Sequence, residues 1–358
     1  MVDATRWRRR GTNEMIVEAL AKVVEGHDLT VAEAAAVMAD ITEDRASPAQ
    51  FGAFVTALRL KGETSAELAG MARVMREKAV RVTSDRQDEL VDTCGTGGDA
   101  SGSFNVSTAS AFVVAAAGVP VAKHGNRGLT SRCGSADVLE ALGVSISLGP
   151  DAVARCIDQA GLAFMFAPAY HPAMKFASPL RRELGIRTIF NILGPLTNPA
   201  GATRQVIGVA SPTVMPVIAG ALIILGAVRT LVVHGDGNLD EISISGATVV
   251  HDVDGPSSST YSIHPSDHDI AIAPRSAIAG GTAPENAQLI TELLGMPAVD
   301  HASRARHDIV CLNAGAALVA SGRVTALADG VARARELIAS GKALQRLETL
   351  IRVSQALA

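Results

Sequence analysis

From Glu89 onward the chain alternates short runs rich in β-branched residues with runs of helical spacing, and this alternation limits the folds it can adopt. Helical runs such as 109–117 and 136–142 separate the candidate strands, which predicts an α/β domain with a largely parallel sheet. Ser, Thr and Val alternate over residues 241–263 and predict additional antiparallel strands, and the chain after Pro284 is predicted to be helical. The candidate strands are 90–94, 119–123, 144–147, 163–166, 205–210 and 230–234.

Residues 11–84 differ from the rest, because Ala, Leu, Val and Met recur there at helical spacing without intervening strands. Pro48 follows Ser47, and proline is favoured at the first position of a helix. The predicted fold class is therefore a small all-helical domain plus a large α/β domain with a central, largely parallel, mixed sheet. Three capping boxes mark helix starts: Thr30 with Glu33, Ser47 with Gln50, and Thr64 with Glu67.

Composition excludes several classes of function. The formal charge of -4 predicts no general affinity for nucleic acid, and eight Phe, two Tyr and one Trp leave few side chains for base stacking. The longest apolar run outside the glycine-rich motifs, 217–228, is shorter than the ~18 residues of a membrane span. The basic run 6–10 precedes no apolar core, so we predict a frayed tail and no signal peptide. The four cysteines lack paired spacing and predict a reduced, cytosolic protein.

A glycine-rich turn, Gly95-Thr96-Gly97-Gly98-Asp99, directly follows the first candidate strand. Such a turn exposes backbone N–H groups and lets an anion approach closely, so we predict a phosphate cradle, with a plain tight turn as the alternative. A dinucleotide site is disfavoured, because no acidic residue occurs between Asp99 and Asp137 to hold a ribose. Hydroxyl and amide side chains at the start of the next helix also favour an anion there: Ser103, Asn105, Ser107 and Thr108.

A basic motif, Lys123-His124-Gly125-Asn126-Arg127, follows the second candidate strand, and the loop 128–134 continues from it. Loops at successive strand ends of an α/β sheet can face one crevice, and Lys and Arg there suit a phosphate. A solvated basic loop is the alternative. For His124 we favour a hydrogen-bonded structural imidazole over a general acid or base.

Two further groups carry candidate chemistry. Asp240 and Glu241 follow the candidate strand 230–234, and adjacent carboxylates at a strand end suit Mg²⁺, with a solvated acidic turn as the alternative. Ser178 is predicted to cap a helix that opens with Pro179, which would put Arg181 and Arg182 in the first turn, against the helix dipole. An anionic partner, or a salt bridge to Glu183 or another carboxylate, would explain them.

Taken in order, these motifs resemble the anthranilate phosphoribosyltransferase family over nearly the whole chain. The resemblance also includes Phe104 to Thr108, Gly134 to Asp137, Arg181 to Gly185, Asn191 to Pro195, and Leu239 to Glu241. It implies a fold like that of the class III nucleoside phosphorylases, a homodimer, and a helical domain of 1–84 joined by about 178–202. The large domain would then comprise 85–177 and 203–358.

The resemblance also implies substrates and a site. Phosphoribosyl pyrophosphate (PRPP) would donate its phosphoribosyl group to anthranilate, Mg²⁺ would be held by Ser107, Asp240 and Glu241, and anthranilate would contact Gly95, Asn126 and Arg181. Lys123 and Arg127 would stabilise the departing pyrophosphate. Gly128 and Cys133 stand where small hydroxyl residues are frequent in the family, and Arg132 where Lys is. The implied PRPP contacts are Gly95, Gly98, Asp99, Ser103, Asn105, Val106, Ser107, Thr108, Lys123, His124, Gly125, Asn126, Arg127, Gly128, Leu129, Thr130, Ser131 and Ser135.

Two rival functions stay open at this point. A pyrimidine nucleoside phosphorylase belongs to the sister family, and the loop containing Asn126 and Arg127 and the pair Asp240-Glu241 argue against it. A nucleic-acid-binding relative of the same fold is disfavoured by the negative net charge. An arylamine nucleophile has a free lone pair at neutral pH, so phosphoribosyl transfer needs no strong base. This agrees with the lack of a convincing base–nucleophile pair in the sequence.

Overall fold

A computed structural model of the protein describes residues 14–128 and 132–358. The predicted basic tail, and Leu129, Thr130 and Ser131 of the second loop, lie outside the described residues. All three predicted capping boxes form, and Pro48 opens its helix. The first four helices are α1 (Glu14–Val24), α2 (Val31–Thr42), α3 (Pro48–Lys61) and α4 (Ser65–Glu77).

Seven strands form one mixed sheet in the order β3-β2-β1-β4-β5-β6-β7. The first five are parallel, whereas β6 and β7 form the predicted antiparallel extension. The predicted fold class is confirmed. The strands are β1 (Val91–Gly95), β2 (Val121–Gly125), β3 (Leu162–Phe166), β4 (Arg204–Gly208), β5 (Arg229–Gly235), β6 (Thr248–Asp254) and β7 (Ser257–Ile263).

The strand predicted at 144–147 is wrong. Val144 and Ile146 are buried, which explains the alternating pattern, but they pack within a helical layer and not in the sheet. The backbone N–H of Ser145 donates to the Ser354 hydroxyl at 3.1 Å, on the last helix of the chain. Alternating burial therefore arises here in a segment that belongs to no helix or strand.

Helices cover both faces of the sheet, and the side chains of its central strands alternate between two hydrophobic cores. On β4, Val206 points into one core and Ile207 into the other; on β5, Leu231 and Val232 divide in the same way. The second core contains residues of α1–α4 and α11, and the first contains the later helices. The remaining helices are α5 (Val106–Ala116), α6 (Ser135–Ala141), α7 (Pro150–Ala160), α8 (Ala167–Tyr170), α9 (Ala177–Leu184), α10 (Phe190–Leu193), α11 (Met215–Ile224), α12 (Ala283–Gly295), α13 (His301–Ser321), α14 (Leu327–Ala339) and α15 (Lys342–Ala356).

The strand order places a topological switch point between β1 and β4. From β1 the chain proceeds outward to β2 and β3, then returns to place β4 on the other side of β1. Ligands of open α/β sheets bind outside the carboxyl ends of the strands at such a point. Here those ends are Gly95 and Gly208, which are paired neighbours in the sheet. Within the described residues, no helix is long and apolar enough to span a membrane.

Candidate active site at the switch point

The glycine-rich turn begins where β1 ends, and its backbone adopts conformations that favour glycine. Gly97 and Gly98 have φ angles of 64° and 77°. The N–H of Thr96 donates to the Gly208 carbonyl at 2.9 Å, and the N–H of Gly97 donates to Asp240 Oδ2 at 2.9 Å. The turn is thereby tied to β4 and to the predicted acidic pair.

Arg187 lies over this turn, a contact that the sequence did not indicate. Its Nη2 donates to the Gly97 carbonyl at 3.1 Å, and a Cβ on Gly98 would stand 2.8 Å from the guanidinium carbon. The two segments are about 90 residues apart in the chain, so no local pattern could reveal the contact. An exposed cation thus stands directly above the predicted phosphate cradle.

Glu241 binds the start of helix α5. Asn105 is the N-cap residue, but its side chain makes no capping hydrogen bond. Instead, the backbone N–H of Ser107 donates to Glu241 Oε1 at 3.0 Å. A carboxylate is stabilised at a helix N-terminus, where the dipole and free N–H groups favour negative charge.

Asp240 and Glu241 carry more negative charge than their surroundings neutralise. Burial, and then the charge of Asp99, raise the pKa of Asp240 to about 7. Burial, and then the charge of Asp240, raise the pKa of Glu241 to about 8, although Lys123 and the Ser107 N–H oppose this. Asp99 Oδ2 is itself buried without a hydrogen-bond partner. The predicted solvated acidic turn therefore does not describe these half-buried residues.

These carboxylates fit a divalent cation that is shared with a phosphate ligand. Among the described residues, no group of three or more His, Cys, Asp or Glu side chains could hold a metal ion. Mg²⁺ is commonly bound by one or two carboxylates together with substrate phosphates. Two adjacent carboxyl groups with raised pKa values, beside the Ser107 hydroxyl, meet that requirement.

Lys123 is buried beneath the site and does not lie on the surface of the loop. Its Nζ donates to the Thr93 carbonyl and, at 3.3 Å, to the Ser107 hydroxyl. Burial lowers the pKa of Lys123, while Asp92, Cys94 and Glu241 raise it. Its charge therefore acts on the site from below, through Ser107 and the neighbouring acids.

The second loop is closed by Asp137, which the sequence marks only as the end of the acid-free region. Asp137 Oδ2 accepts from the N–H groups of Gly128 and Gly134 at 2.9 and 2.8 Å. The guanidinium of Arg127 pairs with Asp137 at 3.0 Å and with Glu140. A phosphate contact by Arg127 would require these exposed ion pairs to be exchanged.

The other predicted contact residues surround the two loops. Asn126 accepts a hydrogen bond from Ser135 Oγ at 3.3 Å through its carbonyl, and the hydroxyls of Ser103 and Ser101 lie 2.9 Å apart. Val106 and Thr108 are buried within α5, so only their backbone or a relaxed side chain could reach a ligand.

His124 is a buried neutral imidazole, as the preferred prediction holds. Burial, and then His171, lower the pKa of His124 to about 3, and burial lowers the pKa of His171 to about 4. The two rings meet edge to face with centroids 5.0 Å apart. Backbone hydrogen bonds with Gly194 and Thr197 act in the opposite direction on the pKa values of His124 and His171, respectively.

The predicted position of Arg181 within its helix is wrong. Helix α9 begins at Ala177 rather than after Ser178, and Arg181 and Arg182 lie in its last turn, where the helix dipole favours cations. The predicted salt bridge to Glu183 is also missing. Arg181 instead donates to the Phe190 carbonyl at 3.4 Å and lies 5.4 Å from the Phe190 ring centroid. Its pKa is lowered by burial, and within the described chain no carboxylate pairs with it.

Comparisons with known proteins agree with this geometry. Two sequence profiles match: "Glycosyl transferase family, helical bundle domain" over residues 17–79, and "Glycosyl transferase family, a/b domain" over residues 87–344. The chain is 53% identical over 341 residues to an anthranilate phosphoribosyltransferase of Chloroflexus aurantiacus, which covers 95% of this chain and 99% of the relative.

Two solved structures are similar over almost their full length. The anthranilate phosphoribosyltransferase of Thermus thermophilus is 44% identical with a TM-score of 0.88, covering 94% of this chain and 99% of that one. The Saccharomyces cerevisiae enzyme, solved in complex with PRPP and Mg, is 26% identical with a TM-score of 0.85, covering 97% and 99%. This chain belongs to the anthranilate phosphoribosyltransferase family.

Proposed function

We propose that this protein transfers the 5-phosphoribosyl group of PRPP to the amine of anthranilate and releases pyrophosphate, a step of tryptophan biosynthesis. The observation that carries the proposal is the meeting of three elements at the switch point. These are the glycine-rich turn after β1, the N-terminus of α5, and the pair Asp240-Glu241 after β5. The Saccharomyces cerevisiae relative was solved with the same donor and metal.

PRPP would lie along the glycine-rich turn and the loop that follows β2. Ser107, Asp240 and Glu241 would hold Mg²⁺, because Asp240 binds the glycine-rich turn, Glu241 binds the N–H of Ser107, and burial and like charge raise the pKa of both carboxyl groups. When bound, the ion would neutralise charge that builds up on the pyrophosphate. Lys123 would support the same charge from beneath, through its hydrogen bond to Ser107.

Anthranilate would bind against Arg181, with Gly95 and Asn126 beside it. A half-buried guanidinium that pairs with no carboxylate is ready to receive one, and a planar carboxylate can accept two parallel hydrogen bonds from it. The neighbouring Phe190 ring is an aromatic surface next to that cation. The carboxylate of anthranilate would thus pair with Arg181, and its ring would lie near the ring of Phe190.

The chemistry would depend on positioning and electrostatics rather than on a strong base. The amine nitrogen forms a bond to the anomeric carbon while the bond from that carbon to the pyrophosphate oxygen breaks, and the nitrogen then loses a proton. With pKa values of about 3 and about 4, His124 and His171 are poorly matched to proton transfer near neutral pH. An arylamine can react without deprotonation, so this arrangement suits it.

We also infer the domain division and assembly that the family implies. The division would be a helical domain of 1–84 with about 178–202, and a large domain of 85–177 and 203–358. The second hydrophobic core supports the joining of 177–196 to α1–α4, and it continues into β4, β5 and α11, where the two domains would pack on each other. A homodimer through the helical domain is supported by exposed apolar side chains on α1 and α3, among them Val17, Val24 and Leu60. None of the four cysteines, all of which lie within the described residues, forms a disulfide, which supports a reducing, cytoplasmic location.

The direct test follows the loss of anthranilate fluorescence on mixing the purified protein with PRPP and Mg²⁺. We expect consumption that requires all three components and releases pyrophosphate stoichiometrically. Phosphorolysis of a pyrimidine nucleoside, measured in parallel, would favour the sister-family enzyme instead. Consumption of neither substrate would contradict the proposal, and salt-dependent DNA binding in its place would favour the nucleic-acid-binding relative.

A further inference from the structure

The two loops of the proposed PRPP site are joined by the side chain of Asn105, and a buried side chain of α12, that of Asn286, binds Asn105 from behind the site. It lies in the first turns of α12 and is 2% exposed. Its Oδ1 accepts from the N–H of Gly281 at 2.7 Å, and its Nδ2 donates to Asn105 Oδ1 at 3.0 Å. Asn105 Nδ2 in turn donates to the Cys133 carbonyl at 3.2 Å. One chain of hydrogen bonds thus connects α12, the start of α5 and the loop after β2.

The side chain of Asn105 takes part in this chain of hydrogen bonds and does not cap helix α5. Asparagine is among the best N-cap residues because its side chain can accept from the helix's free N–H groups. Asn105 occupies the N-cap position of α5 and makes no such bond. Its oxygen accepts from Asn286 Nδ2 at 3.0 Å and from the Cys133 thiol at 3.4 Å, its Nδ2 donates to the Cys133 carbonyl, and the helix N–H of Ser107 donates to Glu241.

The segment before α12 fixes Asn286 against the first loop. The N–H of Phe104 donates to the Ile278 carbonyl at 3.0 Å, and the N–H of Gly280 donates to the Gly102 carbonyl at 2.8 Å. A Cβ on Gly280 would stand only 2.7 Å from the Phe104 Cα, so the two backbones are in direct contact. Asn286 is therefore held at a set distance from Asn105.

We propose that Asn286 is a positioning residue that sets the spacing of the two PRPP-binding loops through Asn105, although Asn286 itself does not touch the substrate. This inference rests on the proposed phosphoribosyl transfer. Each of the two asparagine side chains uses its NH₂ group as a donor and its oxygen as an acceptor. The side chain at position 286 must accept from Gly281 and donate to Asn105, and an amide does both. PRPP affinity would depend on it more than anthranilate affinity, because Arg181, the proposed partner of the anthranilate carboxylate, lies outside both loops.

Asn286→Asp tests whether the hydrogen-bond donor at position 286 is needed. A carboxylate still accepts from Gly281, but it offers no donor, so it faces the Asn105 oxygen as a second acceptor. We expect the KM for PRPP to rise about tenfold or more, the usual scale for losing a supporting hydrogen bond behind a ligating group. The KM for anthranilate should stay within about twofold by the same reasoning.

Ser354→Ala is the matched control. Ser354 is also buried and accepts from a backbone N–H of another segment, that of Ser145, within the helical layer and far along the chain from both loops. It should lower the melting temperature and leave both KM values unchanged.

A second experiment combines Asn286→Asp with Asn105→Ala. The PRPP KM of this double variant should be no higher than that of Asn105→Ala alone.

The outcomes separate this inference from the proposed function. If the wild-type protein transfers no phosphoribosyl group, the proposed function fails. If it does, an unchanged PRPP KM in Asn286→Asp, an equal rise in both KM values, or additive effects with Asn105→Ala would overturn the inference alone. Should the Asp variant not fold, Asn286→Ser takes its place under the same criteria, and loss of folding in both would assign Asn286 to stability only.

Discussion

Gly208 is the residue whose substitution should damage the site most selectively. It ends β4, and the backbone of Asp240 packs directly on it. A Cβ there would lie 3.1 Å from the Asp240 Cα, with the Asp240 carbonyl group closer still. Since carbon atoms pack best at about 3.5–4.0 Å, the Asp240 backbone has to retreat by about 1 Å or more in Gly208→Ala.

That retreat would move the acidic pair away from the Gly97 and Ser107 N–H groups that it binds. A misplacement of ~1 Å in a catalytic site can cost about 10²-fold, or about 2.7 kcal/mol of barrier. We therefore expect kcat/KM to fall by about two orders of magnitude. The Mg²⁺ concentration needed for half-maximal activity should rise. The overpacking itself should cost about 1–3 kcal/mol of stability.

Steady-state assays over a range of Mg²⁺ concentrations, with thermal unfolding of the same samples, measure both effects. Gly149→Ala is the control, because a Cβ at this N-cap of α7 meets nothing within 4 Å. It should lose some stability and keep its activity. Wild-type kcat/KM and Mg²⁺ dependence in Gly208→Ala would refute the view that close backbone approach positions the acidic pair.

Two further predictions concern groups without a charged partner. Arg181→Ala should weaken anthranilate binding by about 1.5–3 kcal/mol, the scale of a charge-assisted hydrogen bond, while the exposed Arg182→Ala should not; equal anthranilate KM values in the two variants would contradict this. The pKa values of His124 and His171, about 3 and about 4, lie below the 6.5 of a free imidazole, so the unfolded chain binds protons first as pH falls. The contribution of the two rings to the free energy of unfolding should thus be fully present above pH ~6.5 and should fall by about 2 kcal/mol per ring at pH ~5. Urea unfolding at both pH values tests it against His124→Gln with His171→Gln, and an unchanged pH dependence in that double variant would count against the assignment.

Local signals in the sequence predicted most of the fold, because they depend on residues close together in the chain. The capping boxes at Thr30, Ser47 and Thr64 form as predicted, since each needs only a side chain and a backbone N–H three residues away. Five of the six candidate strands also exist, because short apolar runs rich in β-branched residues favour a buried strand. The segment 144–147 shows the limit, since burial alone does not supply a strand partner.

Side-chain directions in the site were less predictable, because they depend on distant segments. The Ser178-Pro179 pair is a good local helix start, yet Ala177 is buried, and the helix begins there, two residues before Pro179, and ends at Leu184. Arg127 turns toward α6, and Lys123 inward beneath β1, only because those elements fold against them.

Arg187 and Asn286 reach the loops from segments about 90 and 180 residues away. No spacing in the sequence could have joined Arg187 to the glycine-rich turn or Asn286 to Asn105.

The central claim is that the acidic pair, together with the glycine-rich turn, binds PRPP in a metal-dependent way. Calorimetric titration of PRPP with and without Mg²⁺ measures this directly, in the wild-type protein and in Asp240→Asn combined with Glu241→Gln. We expect Mg²⁺ to strengthen PRPP binding strongly in the wild type and hardly at all in the folded double variant, whose anthranilate binding should persist. Equal Mg²⁺ enhancement in both proteins, with wild-type turnover in the variant, would contradict the account.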